Sequence, residues 1–207
     1  MTDPMPAVAV ADLEVHYHGG TDAAVRDVHL TIHPGDGLLV QGGPLSGKTS
    51  VLRAVAGLLP AGGHVRVLGA PPFAARAGDV GFGPEGRDFA GHLRVREAVA
   101  AVAAMRRARL GAAAVDDAVE RAGLYYVAGY RTRRLDAEGF RRLSLAMAIV
   151  GDPAVVILDD PWVLPETLAE IAAARARGAA VLAAARAPGG LGPALGARLA
   201  LTGGRPR

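Results

Sequence analysis

The 207-residue sequence contains no cysteine. That excludes a disulfide framework, a thiolate nucleophile and any cysteine-ligated zinc or iron–sulfur site, and it fits a reducing compartment. Asparagine is absent as well, and a single lysine, Lys48, stands beside 22 arginines. A chain so biased against lysine keeps one where a compact ammonium on a flexible stem serves and a planar guanidinium does not. Aromatic residues make up 4% of the chain, too few to build a base-stacking platform, and no helix-turn-helix pattern accompanies the arginines, so no nucleic-acid partner is expected. The charge-free stretches, such as residues 54–65, are broken by glycine, proline and histidine and fall short of the roughly 18 apolar residues of a spanning helix. The first ten residues carry Asp3 and no basic residue ahead of a short apolar stretch, so no secretory signal is expected.

Hydrophobic residues are 51% of the sequence, charged residues 21%, and the formal net charge is +3, a balance that supports a packed core and excludes intrinsic disorder. One domain over 1–207 is expected. Lys48 lies in Gly42-Gly43-Pro44-Leu45-Ser46-Gly47-Lys48-Thr49, which satisfies the G-x-x-x-x-G-K-[ST] pattern of a phosphate-binding loop. Upstream, Gly37 to Val40 reads as a buried strand; downstream, Val51, Leu52, Val55 and Leu59 recur at helical spacing until Gly57 and Pro60 stop the helix. In such a loop the glycines turn backbone N–H groups toward a β-phosphate and the helix N-terminus adds partial positive charge. Lys48 would reach the β- and γ-oxygens and Thr49 would place its hydroxyl on Mg²⁺. A glycine turn merely joining strand to helix satisfies the bare pattern; the strand–loop–helix context and the unique lysine favour the phosphate loop. A second motif agrees: Ala154 to Asp159 is an apolar run ending in a carboxylate, as in a buried parallel strand whose last residue helps hold a metal, although Asp159 ahead of Asp160-Pro161 also reads as a simple turn.

Strands are expected at Ala7 to Val10 with Leu13 to Tyr17, at Val28 to Ile32, Gly37 to Val40 and His64 to Leu68, punctuated by Gly19-Gly20 and Pro34-Gly35. The pattern turns helical over 94–105, 112–123 and 143–150. Strands return at 155–158, 181–184 and 199–202 around a helix over 166–177. The fold class is therefore α/β: a phosphate-loop NTPase core (1–91 and 143–207) with an antiparallel β-rich N-terminal part and a helical subdomain near 92–142. Residues 94–142 hold 11 arginines against 6 acidic residues, which marks the helical part either as a solvated face or as a docking surface.

This order of motifs resembles the ATP-binding subunits of ABC transporters over nearly the whole chain, particularly the compact subunits of multidrug and antibiotic exporters. The resemblance implies that Tyr17 stacks on adenine; read alone, it is equally a strand-end tyrosine. It implies that Gly42, Gly43, Pro44, Leu45, Ser46, Gly47, Lys48, Thr49 and Ser50 hold the ATP phosphates, and that Thr49, Asp159 and Glu85 serve Mg²⁺. Several positions depart from the family pattern. Glu85 in Val80-Gly81-Phe82-Gly83-Pro84-Glu85 stands where the family has glutamine. Leu135-Asp136-Ala137-Glu138-Gly139 keeps only the leucine of the signature LSGGQ, with Asp136 reading as a helix N-cap and Glu138 in the first turn. Asp160 replaces the glutamate that positions water and is one methylene shorter. Arg186 stands at the switch histidine, able to pair with phosphate but not to relay a proton. Pro161 to Glu166 differs from the family's dimer-contacting loop.

The resemblance implies a protein that binds Mg·ATP and hydrolyses it slowly or with a partner, Asp160, Glu85 and Arg186 being its catalytic candidates. Transmembrane permease subunits and a second nucleotide-binding domain, in a homo- or heterodimer, would be its partners, and its place would be the cytoplasmic face of the cell membrane. Two other readings stay open. One is an ATP-sensing regulatory subunit that hydrolyses nothing. The other is a small phosphate-loop kinase with arginines as a lid, against which stand the early β-rich segment and the apolar helix before residue 155.

Overall fold

The computed structural model describes residues 5–17, 23–76, 79–86, 91–105 and 110–206. The expected Gly19-Gly20 turn, the opening residues 1–4, and Arg106, Arg107 and Arg109 of the basic stretch lie outside the described residues.

A three-stranded antiparallel sheet opens the fold, with β1 (Val8–Val15) between β2 (Val25–Ile32) and β4 (Gly62–Val67). The sequence splits β1 in two around Ala11-Asp12. The structure instead shows one strand whose register slips between Val10 and Leu13, where Asp12 takes a left-handed φ of 54°. A bulge reads in sequence as a gap because the extra residue breaks the two-residue alternation.

The second sheet has the order β5-β6-β7-β3-β8-β9, built from β3 (Gly37–Gln41), β5 (Val80–Gly83), β6 (Val155–Asp159), β7 (Ala180–Ala185), β8 (Gly196–Thr202) and β9 (Arg205–Pro206). Its neighbours pair in parallel except at the terminal β8–β9 hairpin. Both faces are covered, so its inner strands are continuously apolar rather than alternating. Residue parity sorts them. Leu39, Val156, Leu158, Val181 and Ala183 join one core, while Leu38, Val40, Val155, Ile157, Leu182 and Ala184 join the other. The second core also takes the antiparallel sheet and α1 (Lys48–Val55), and α2 (Pro72–Arg76) follows β4.

The first core takes the helices α3 (Val95–Ala104), α4 (Ala112–Arg121), α5 (Ala137–Ile149), α6 (Pro165–Ala176) and α7 (Leu191–Leu195). The apolar run read over 143–150 is the buried end of α5, which starts earlier because the Asp136 side chain accepts from Gly139 N at 2.8 Å. Among the described residues no helix is long and apolar enough to cross a membrane.

Among the described residues, Arg94, Arg96, Arg131, Arg133 and Arg134 of this stretch are exposed, and several of them also tie neighbouring pieces of chain together. Arg96 pairs with Asp116 between α3 and α4, Arg94 donates to Gly129 O, Arg131 donates to His92 O and Arg134 lies over the Tyr130 ring.

Candidate functional site

The loop from β3 to α1 places Lys48 and Thr49 at the carboxyl ends of the parallel strands, where open α/β sheets form their ligand crevices. Gly47 turns the chain into the helix at φ 90°, and a Cβ there would meet Val25 Cγ2 at 2.8 Å and Ala24 O at 2.9 Å, so no other residue fits. α1 has no side-chain cap and no acidic residue in its first turn, which leaves its N-terminal N–H groups and dipole directed at whatever occupies the loop. Lys48 Nζ donates to Gly43 O at 2.7 Å and to Ser46 Oγ at 3.2 Å, holding the ammonium across the loop. Burial pushes its pKa down, while Asp160 and Asp159 pull it up.

A cleft of about 630 Å³ gathers Tyr17, Ala24, Pro44 to Ser50, Glu85, Asp159, Asp160 and Arg186. Every candidate from the sequence therefore lines one cavity except Gly42 and Gly43. These two shape the loop: Gly42 N donates to Ala185 O at 3.2 Å, and Gly43 supplies the carbonyl that Lys48 grips. Tyr17 lies beyond the end of β1, and its hydroxyl meets Ser50 Oγ at 3.0 Å, which fixes the ring at the cleft mouth. Leu45 is wholly exposed at the lip with φ 59°. Ala24, which precedes β2, is the lining residue that sequence reasoning missed, since no motif marks a small residue that merely leaves room.

Asp159 ends β6, 3% exposed, with Oδ1 accepting from Thr49 Oγ1 at 3.2 Å. Its Oδ2 is buried without a hydrogen-bond partner, and burial, with Glu85 and Asp160 adding to it, raises the pKa to about 6. An orphaned buried carboxylate oxygen beside a hydroxyl fits a hard divalent cation such as Mg²⁺. Thr49 and Asp159 would hold it, with Glu85 across the cleft. Such a cation neutralises charge developing on phosphate oxygens during transfer.

Asp160 takes a left-handed φ of 49°, its N–H donating to Ala184 O, and turns its carboxylate into the cleft. Arg141 Nη2 lies 3.3 Å from its Oδ2. Arg186 follows β7, exposed, with its charge acting against the Lys48 ammonium. The N-terminus of α5 contrasts with that of α1: Asp136 closes it, and Glu138 in its first turn is held by Arg142 at 2.9 Å. One helix end is free to take an anion; the other is already satisfied.

The sequence model of the family described as ABC transporter matches residues 25–163, more than half of the chain. This chain belongs to the ABC transporter family. It is 32% identical over 163 residues to the zinc import ATP-binding protein ZnuC of Paracoccus denitrificans, covering 75% of this chain and 58% of that protein. It is 33% identical over 155 residues to the spermidine/putrescine import ATP-binding protein PotA of Methylococcus capsulatus, covering 70% of this chain and 39% of that one. The chain thus spans roughly two fifths to three fifths of the length of these curated relatives. Among solved structures, a dimeric post-hydrolysis ATP-binding cassette bound to ADP and Pi superposes with a TM-score of 0.86 at 17% identity, over 97% of this chain and 96% of that one. An ATP-binding subunit of an ABC transporter superposes with a TM-score of 0.83 at 18% identity, over 97% and 88%. The fold of this ABC family member is that of an ATP-binding cassette.

Proposed function

We propose that this chain is the ATP-binding subunit of an ABC-type membrane transporter, forming one nucleotide-binding domain over 1–207 with a helical subdomain near 92–142. Lys48 and the loop from Gly42 to Ser50 hold the phosphates, Tyr17 packs on the base, and Thr49, Asp159 and Glu85 hold Mg²⁺. Asp160 is the base for water and Arg186 a phosphate contact. Transmembrane permease subunits and a second nucleotide-binding domain complete the assembly at the cytoplasmic face of the membrane. The observation that carries this reading is the pairing of an uncapped helix end at Lys48 with the unpartnered buried oxygen of Asp159 across the same cleft.

Closed α5, the shorter Asp160 and Arg186 in the switch position favour slow turnover, or turnover supported by a better-equipped partner cassette. The resemblance to compact exporter subunits and the import names of the relatives point to opposite directions of transport. Uptake or release by vesicles holding the chain with its permease distinguishes the two.

The metal assignment is tested by binding of a fluorescent ATP analogue with and without Mg²⁺ to wild type and Asp159→Asn. Mg²⁺ should strengthen binding at least about tenfold for wild type and little for the variant, in line with the loss of a buried charged ligand. Equal Mg²⁺ dependence in both proteins contradicts the assignment.

A further inference from the structure

We infer that Arg141, which lies outside the cleft lining, is a positioning residue for hydrolysis, an assignment that rests on the proposed ATPase reading of the cleft. Its side chain is 16% exposed and belongs to the first half of α5. Its guanidinium forks: Nη1 donates to Glu85 O at 3.1 Å while Nη2 contacts Asp160 Oδ2 at 3.3 Å. One planar group therefore joins two cleft residues that follow different strands, β5 and β6.

The surrounding contacts make that link rigid. Three residues along α5, Ser144 Oγ donates to Pro84 O at 2.8 Å. At Gly83 a Cβ would meet Ser144 O at 2.6 Å and its Oγ at 2.9 Å, so the end of β5 lies directly against the helix. The segment carrying Glu85 is thus fixed to α5 at Pro84 and again at Glu85. Asp160 has less support of its own, with a short side chain on a left-handed backbone. The arginine contact supplies a second anchor. Because that contact uses Oδ2, Oδ1 is the oxygen left to accept a proton.

In hydrolysis the water oxygen bonds to the γ-phosphorus and the bond from that phosphorus to the β–γ bridging oxygen breaks. ADP leaves with the bridging electron pair. One water proton stays on the new phosphate, and the other passes to Asp160 Oδ1 and then to solvent. Arg141 transfers nothing in this sequence; it holds the acceptor in place. A lysine would keep the charge but could not hold Glu85 O and Asp160 Oδ2 with one fixed fork.

The test measures kcat, a directly determined Kd for Mg·ATP and the thermal midpoint for wild type, Arg141→Gln, Arg141→Lys, Asp160→Asn and the Arg141→Gln/Asp160→Asn pair. Arg141→Gln should lower kcat about tenfold or more, part of the contribution of a well-placed base, with Kd unchanged within about twofold. Arg141→Lys should recover part of the rate, and in the Asp160→Asn background the glutamine should cost nothing further. Wild-type turnover in Arg141→Gln, an equal loss in the Asp160→Asn background, or a loss confined to Kd or the thermal midpoint overturns the assignment. If Arg141→Gln does not fold, Arg141→Lys against wild type decides by the same kcat and Kd readings. A wild type that retains ATP without turning it over overturns the Arg141 assignment alone, whereas one that binds no ATP overturns the reading beneath it.

Discussion

Asp159 and Asp160 are adjacent and chemically identical, yet the fold gives them different surroundings. Asp159 completes a fully buried strand and keeps one oxygen without a partner, whereas Asp160, rotated by its left-handed backbone, meets a guanidinium. The cost falls on Asp159. Its carboxyl titrates near 3.8 in the unfolded chain and at about 6 in the fold, so between those values the folded state holds a proton the unfolded state has lost. Stability without metal therefore falls as pH rises through that window, and the penalty is complete above it. At pH about 7, Asp159→Asn should be more stable than wild type by an amount on the order of 2 kcal/mol, and the difference should fade near pH about 4. Denaturant midpoints across pH without Mg²⁺ check this, and a difference independent of pH contradicts it.

At the scale of elements, α4 and α6 are joined through Arg121, which pairs with Glu170 and also with Asp117 and Asp152, while Arg177 reaches Asp152 as well. Glu170 is 8% exposed, so removing its partner strands a nearly buried charge. Arg121→Ala should cost about 2 to 3 kcal/mol, seen as a lower denaturant midpoint, and a loss below about 0.5 kcal/mol shows that the network is mere surface pairing. None of this cluster was legible in sequence, because its members lie as far apart as Asp117 and Arg177.

The strand, turn and helix around Lys48, by contrast, were legible as a whole, since their local sequence determines them. The buried strands β3, β6 and β7 were equally legible from apolar runs. β5 was not, because two of its four residues are glycines with little strand propensity and its pairing with β6 is purely tertiary. Asp136 read correctly as a cap because capping needs only near neighbours. The contact of Arg141 with Asp160 and Glu85 had no local signal, since it depends on how α5 packs against two strands.

At the scale of the whole molecule, two apolar cores lie on either side of the central sheet, and the cleft opens at the carboxyl ends of its strands. In the proposed reading the groups that hold phosphate, namely the loop, Lys48, the Thr49 hydroxyl and the Asp159 carboxylate, all line this cleft from one chain. In the same reading the groups that handle water, Glu85, Asp160 and Arg186, line the other part of it. The measurement that tests this division most directly follows labelled Mg·ATP with the purified chain and with Lys48→Ala, resolving bound ATP from released ADP over time. The account predicts tight, Lys48-dependent binding with slow release of ADP, and loss of both in Lys48→Ala. Failure of the wild-type chain to bind ATP, or binding that survives Lys48→Ala unchanged, would contradict it.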